Sequence, residues 1–314
     1  MPPARVVVLM STFNGQRYVV EQLQSILLQL PAAGCIRIRD DGSSDGTVDA
    51  IRAINDPRIS VMAGTNCGFG ASFLTLLASA PADADLVMFA DQDDVWLPGK
   101  IERAWARLQP FGSQPALYGS AQMLVDADLR PLHVTPPWPR GPSLANSLTE
   151  NIITGCTAAL NRSATLLLQR GGVPSSIRFH DWWMYLVVSA FGSVIYDDTP
   201  TLLYRQHGGN QIGHGAGWFG RLRGIIRFLL RNDWVGILLG QVTDFWRHYG
   251  EQLDPATRAV IQDRYAMHGT FAVPQWVMIF GWRRHCQTGF TELAFRLLLL
   301  LHRLHVWPPP GRRL

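Results

Sequence analysis

Four short apolar runs, each followed by a helix-period or turn-rich stretch, constrain the fold of this 314-residue chain more than any other feature. Residues 5–10, 35–39, 59–62 and 86–90 have strand length and strand composition. Between the first two, residues 18–30 place Val19, Leu23, Ile26, Leu27 and Leu30 on one helical face. Shorter helices are expected up to Ile54, where Asp45 or Thr47 offers a cap, and from Ala71 to Ser79. Strand–helix alternation of this kind predicts an α/β, Rossmann-like fold: a mostly parallel sheet with helices on both faces. Each strand ends in a polar cluster, and in an open α/β sheet that edge is where ligands bind.

The fourth run opens into Asp91-Gln92-Asp93-Asp94. Asp91 and Asp93 stand two apart, so the backbone is able to aim both at one point. Two hard oxygen donors at the mouth of a sheet suit Mg²⁺ or Mn²⁺. The same letters also read as an acidic turn before a helix near Pro98. With 47% apolar residues the chain has ample material for a core. Basic side chains number 28 and acidic ones 24, and Lys100 is the only lysine. This arginine excess fits phosphate recognition and equally fits a bias in base composition; no nucleic-acid partner is expected. Cys35, Cys67, Cys156 and Cys286 are scattered, which argues against a disulfide framework or zinc site and for a reducing, cytoplasmic setting. The apolar run at 6–10 is too short for a signal peptide.

Three segments in order, Val8-Leu9-Met10-Ser11-Thr12-Phe13-Asn14-Gly15, Asp40-Asp41-Gly42-Ser43-Ser44-Asp45-Gly46-Thr47 and Phe89-Ala90-Asp91-Gln92-Asp93-Asp94-Val95-Trp96, resemble a family 2 glycosyltransferase of the GT-A fold, in its rhamnosyltransferase-like branch. His180-Asp181-Trp182-Trp183 and the stretch from Tyr204 through Arg205 and His207 to Gly213 match the same branch, so the resemblance spans about residues 5–215. It implies an inverting, metal-assisted transferase that moves a sugar from a nucleotide donor to an acceptor hydroxyl. L-rhamnose from dTDP-rhamnose is the implied donor, with UDP-hexoses behind it. A surface-polysaccharide or lipid-linked glycan is the implied acceptor.

The resemblance also implies roles. Thr12, Asn14, Asp40 and Asp41 fall at the nucleotide, where a carboxylate is able to accept the pyrimidine N3–H. Asp91 and Asp93 form the metal-binding element, Asp93 on Mg²⁺ or Mn²⁺ and Asp91 on ribose or metal-bound water. Asp94 is read as structural. Arg205 pairs with phosphate and His207 lies near metal or diphosphate. Asp181 is the general base, or else the cap of a helix beginning near His180, with Trp182 and Trp183 stacking on sugar or filling core. Gly155 and Cys156, in a strand opening at 154–158, fall at the acceptor side, or are plain sheet packing.

Beyond these motifs the chain changes character. Residues 126–150 are proline-rich and read as a long loop on the acceptor side. From Gly217 to Arg231, Trp218, Phe219, Leu222, Ile225, Ile226 and Leu229 alternate with four arginines, and residues 293–304 contain five consecutive leucines. The expected division is a catalytic domain at 1–215 and an amphipathic helical extension at 216–314. That extension either lies on an anionic membrane surface, placing the protein peripherally at the inner face of the cell membrane, or packs and forms a homodimer. Two rivals stand beside the transferase: a haloacid-dehalogenase-like phosphatase, and a non-catalytic carbohydrate-binding or membrane-scaffold protein on the same fold. Release of nucleoside diphosphate, of phosphate, or of neither separates the three.

Overall fold

The structure, a computed structural model, describes residues 5–172, 174, 177–207, 233–268, 271–283 and 285–304. It divides into two compact units, one of Met1–Pro137 with Asn151–Arg205, the other of Trp138–Glu150 with Gln206–Leu314. The first unit ends at Arg205 and a short internal segment joins the second; the expected boundary at 215 lies outside the described residues.

In the first unit, β1 (Val6–Thr12), β2 (Cys35–Asp40), β3 (Ile59–Ala63) and β4 (Leu86–Ala90) lie parallel. The chain returns between them through α1 (Val19–Leu27), α2 (Thr47–Ala53) and α3 (Phe69–Ala78). Then come β5 (Val95–Trp96), α4 (Lys100–Leu108), β6 (Ala116–Ser120), β7 (Met123–Val125) and β8 (Pro131–Val134). After α5 (Leu144–Ser147), which belongs to the second unit, follow β9 (Ala159–Asn161), α6 (Arg162–Arg170), α7 (His180–Phe191), β10 (Ser193–Asp197) and β11 (Leu202–Arg205). The main sheet has seven strands in the order β10-β6-β9-β4-β1-β2-β3. β9 alone runs against its neighbours, β4 and β6. A smaller sheet has the order β5-β11-β7-β8, with β5 and β11 antiparallel.

Every side chain of β4 is buried, as its unbroken apolar run requires for a central strand covered on both faces. α1 presents Val19, Leu23 and Ile26 to the core shared by β1, β2 and β4. The segment expected as a strand at 154–158 is instead a 3-10 turn, Gly155–Thr157, with β9 beginning only at Ala159. Asn161 ends that strand and caps α6 through the Ala164 N–H, which sets the tight exit.

The second unit contains α8 (Trp234–Tyr249), α9 (Pro255–Gln262), the hairpin of β12 (Tyr265–His268) and β13 (Phe271–Pro274), α10 (Trp276–Phe280) and α11 (Gly289–Arg303). Residues 138–150 are strapped into it. Tyr265 donates to the Leu148 carbonyl at 2.6 Å, Thr149 to the His285 carbonyl at 3.1 Å, and the Gln287 N–H to Glu150 at 2.7 Å. About half of the proline-rich loop is thus a structural strap, and its other half contains β8. The amphipathic stretch at 217–231 lies outside the described residues. Among the described residues no helix is long and apolar enough to cross a membrane.

Candidate active site

The end of β4 delivers Asp91–Asp94 to the sheet edge. Gln92 clamps the β1 loop, accepting from the Phe13 N–H at 2.9 Å and donating to the Phe13 carbonyl at 3.0 Å. Gly15 makes room for that clamp, since a Cβ there would sit 2.2 Å from Gln92 Oε1. Asp94 is buried; its Oδ1 accepts the Arg205 N–H at 3.2 Å, and its Oδ2 has no hydrogen-bond partner. Ligand atoms of Asp91, Asp94 and Cys156 lie within 4.8 Å of one another. Burial, then repulsion from Asp93 and Asp181, pushes Asp91 up to about 7. Asp94 is raised too, by burial and by its two acidic neighbours.

This arrangement fits a divalent cation. Carboxylates crowded at one point repel when ionised, one of them keeps a buried oxygen without a donor, and a hard cation answers both problems. Cys156 is a poor candidate ligand for Mg²⁺ or Mn²⁺: burial holds its thiol well above its usual value, and a neutral soft donor does not suit them. Asp94, read from the sequence as structural, belongs to the cluster. His207, expected near metal or diphosphate, falls in the second unit.

Beneath the cluster lies Lys100, fully buried against the face of Trp96 at 5.0 Å. Its Nζ donates to the Cys156 carbonyl and to Thr201 Oγ1, each at 3.1 Å. Burial lowers its pKa to about 8, while Cys156 and Asp94 pull the other way. This cation pins the Gly155–Thr157 turn from below. Sequence reasoning missed it; an isolated lysine in an arginine-rich chain was the only available signal.

Asp181 is the second residue of α7. Its Oδ2 accepts the Gly155 N–H at 3.0 Å and its Oδ1 the Trp182 N–H at 2.7 Å. Burial raises its pKa to about 6 against those donors. Gly155 is required for the approach, because a Cβ on it would stand 2.6 Å from His180 Nε2. The His180 ring lies nearly parallel to Phe73 at 4.1 Å, and neither ring nitrogen has a hydrogen-bond partner. Burial lowers its pKa to about 3, so it is a neutral packing plate behind the acid. Cys156, Trp182 and Trp183 are completely buried. This corrects the expectation that the tryptophans stack on an acceptor sugar: a ring with no exposed surface is core, and Cys156 likewise offers no open face.

At the end of β2, Asp40 and Thr12 are both buried and bond to each other at 2.8 Å. Asp40 also accepts the Ser43 N–H at 2.8 Å, so these two side chains brace a turn rather than reach outward, a second correction. Asn14, at φ 48, accepts the Ser44 N–H at 2.9 Å and ties the β1 loop to the same turn. Asp41 forms an ion pair with Arg39 and accepts from the N–H groups of Cys67 at 3.0 Å and Gly68 at 2.9 Å. Burial pushes its pKa up, but these donors outweigh burial and hold it below the usual value. Arg205 is also corrected. It is buried, stacked on Tyr18 at 4.6 Å, and donates to the Asp93 carbonyl at 2.8 Å, the Ala127 carbonyl at 2.6 Å and Glu21. Its guanidinium ties the carboxylate loop to α1 and is engaged within the protein rather than aimed at phosphate.

A sequence profile described as Glycosyl transferase family 2 matches residues 7–165, just over half of the chain. The chain belongs to glycosyl transferase family 2. This family 2 enzyme is similar to the dTDP-rhamnosyl transferase RfbG of Shigella flexneri, 27% identical over 244 residues, which are 72% of this chain and 80% of the relative. A second relative, the UDP-Glc:alpha-D-GlcNAc-diphosphoundecaprenol beta-1,3-glucosyltransferase WfgD of Escherichia coli, is 28% identical over 97 residues, 31% of this chain and 38% of the relative. Among solved structures, S. aureus TarS 1-349 in complex with UDP-GlcNAc has a TM-score of 0.51 at 15% identity, covering 82% of this chain and 80% of that one. The mannosyltransferase PcManGT from Pyrobaculum calidifontis, in complex with GDP-Man and Mn²⁺, also scores 0.51, at 17% identity over 97% and 88%. The family 2 transferase therefore has the GT-A fold, and the phosphatase and scaffold readings fall.

Proposed function

We propose that this enzyme transfers L-rhamnose from dTDP-rhamnose, with inversion, to a hydroxyl of a surface-polysaccharide or lipid-linked glycan. One observation carries the mechanism: Asp181, at the start of α7, is held by the N–H groups of Gly155 and Trp182 near enough to Asp91 to repel it, and burial raises its pKa to about 6. A carboxylate with that pKa is ionised at neutral pH and basic enough to take the acceptor proton as the hydroxyl attacks. Gly155 orients it through the N–H on Oδ2. Asp91, Asp93 and Asp94 would hold Mg²⁺ or Mn²⁺. When bound, such a cation neutralises the diphosphate leaving group as a Lewis acid. Asp41, fixed in its ionised form, ties the end of β2 to the Cys67–Gly68 turn and so shapes the nucleotide side of the site, with the Thr12–Asn14 loop on the same edge.

The rhamnosyl assignment is supported by the likeness to RfbG over 72% of the chain. A UDP-hexose donor is the alternative, supported by the shorter likeness to WfgD. A lipid-linked acceptor would place the enzyme peripherally at the cytoplasmic face of a membrane. The test is a panel of nucleotide sugars scored by nucleoside diphosphate release, with and without chelator. Turnover highest with dTDP-rhamnose, abolished by chelation and restored by Mn²⁺ or Mg²⁺, is the expected result. Preference for a UDP-hexose overturns the donor assignment, and full activity in excess chelator overturns the metal assignment.

A further inference from the structure

In the second unit, α11 is apolar on two opposite faces. Phe295 and Leu299 are buried, while Phe290, Leu293, Leu297 and Leu304 are exposed, Leu293 by 70%. At 100° per residue the four exposed side chains fall within about 60° of arc, one continuous stripe. A helix buried on one side and solvated on the other normally carries polar residues on the outer face; here the outer face is leucine and phenylalanine.

α10, which packs against α11, repeats the pattern. Arg296 of α11 donates to the Gly281 carbonyl at 2.6 Å, and Arg303 lies over the Trp276 ring at 4.2 Å. Met278 and Ile279 point inward, whereas Trp276 and Phe280 are exposed and stacked at 5.7 Å, and Trp282 just beyond is fully exposed. Scattered surface apolar residues need no explanation, but exposed apolar sets on two contacting helices mark a docking surface.

Charge decides the occupant. Residues 276–314 carry six arginines and one acidic residue, Glu292. Glu292 is buried, accepting the N–H groups of His285 and Cys286 at 2.7 and 2.8 Å and pairing with Arg296. Arg283 pairs with Asp263 at 3.2 Å, but both are exposed and such a pair is weak. Two copies of so basic a segment repel. An anionic surface attracts it, and exposed tryptophans beside arginines suit the boundary between lipid headgroups and acyl chains.

We infer that the α10–α11 face docks on an anionic lipid bilayer, lying in its interface without crossing it. The inference deepens the acceptor reading above and rests on it only for its purpose, since lipid binding is measured without turnover.

The full chain is co-sedimented with vesicles of phosphatidylcholine and phosphatidylglycerol, and with phosphatidylcholine alone. Binding is expected only with the anionic lipid, weakening as salt rises. The variant Leu293→Glu/Leu297→Glu should lower the bound fraction by about tenfold or more. Trp282→Ser, at a fully exposed ring, gives a smaller loss and serves if the double variant misfolds. Wild-type protein that ignores anionic vesicles at low salt, or variants that bind as it does, overturns the inference. So does a shift in oligomeric mass in the double variant, measured without vesicles, if lipid binding is unchanged, because the face is then a contact between copies. Lipid binding without nucleoside diphosphate release on any donor would leave this surface standing and defeat the transferase assignment; the converse result would do the opposite.

Discussion

Two carboxylate sites occupy one edge of the main sheet, at the ends of β2 and β4, and they are built in opposite ways. Asp41 is given donors: the Arg39 guanidinium and the N–H groups of Cys67 and Gly68. Its pKa falls below the usual value even though burial opposes this. Asp91 and Asp94 are given burial and like charges, and both rise; Asp181 rises by burial. The first site is a finished anion that the protein itself has neutralised. The second is an unfinished one, poised to take up a proton or a cation. A residue that only has to hold shape and charge is best satisfied internally, whereas groups that exchange charge with a substrate have to be left short of partners.

The contrast breaks most visibly at Asp181. Asp181→Asn should lower transfer by about 10²–10⁴-fold, because an amide does not take the acceptor proton. Nucleoside diphosphate binding, measured by calorimetry, should stay within about threefold, since the residue acts on the acceptor. Thermal stability should fall by about 1–3 kcal/mol, because the amide NH2 cannot accept the backbone N–H that one of the two carboxylate oxygens accepts. In the wild type, transfer should fall about tenfold per pH unit below about 6 and level off above it, as Asp181 ionises. Normal transfer by the variant, or an acid limb near the ordinary carboxylate value, would show that the two sites do not differ as described.

Asp41→Asn should fail the other way, by stability. It leaves Arg39, whose side chain is 10% exposed, without its anion. Losing one partner of so enclosed a pair costs about 3 kcal/mol. The sign of the pH dependence follows from the lowered pKa. The ionised form stabilises the fold above the unfolded value of about 3.8, and that contribution is lost as pH falls through the lower folded value. Denaturant melts of wild type and variant should therefore stay separated from neutral pH down to about 4 and converge below it. A constant gap at all pH values would mean that the amide disturbs packing rather than charge.

How much of this was legible in the sequence follows from what periodicity encodes. Strand runs and their polar ends mark the sheet edge, with the Asp40–Thr47 and Asp91–Asp94 turns on it, because spacing fixes position along the chain; the roles of Asp41 and Asp181 come from the family resemblance instead. Spacing does not fix which way a side chain points. Trp182 and Trp183 follow the acid directly, yet both turn into the core of α7. Arg205 ends β11 of the smaller sheet, and its guanidinium folds back on Tyr18 and Glu21, partners far away in sequence. Asp94 reads as structural from the sequence, yet its side chain shares one cluster with Asp91 and Cys156. Lys100 and the strap at 138–150 depend on contacts across many residues, to Thr201 and to Gln287, for which no local pattern exists.

The smallest expected effect tests how the unfinished site is nonetheless held in place. Gly155 lends Asp181 one N–H, and that bond lowers the acid's pKa against burial. Gly155→Ala puts a methyl 2.6 Å from His180 Nε2, so turn or ring has to move and the bond lengthens. With it weakened, the acid limb of kcat/KM should move above about 6, lowering activity at that pH by about three- to tenfold and recovering it in more alkaline buffer. A turn damaged in a general way would lower activity at every pH and leave the limb where it was. The double variant Gly155→Ala/His180→Ala separates the causes further. Removing the ring gives the methyl room, so the N–H returns to Asp181 and the limb returns toward 6. It does so although the lost ring leaves a cavity beside Phe73 that lowers stability. Restored pH dependence in a less stable protein would tie the limb to this hydrogen bond, and an unrestored limb would assign Gly155 to packing alone.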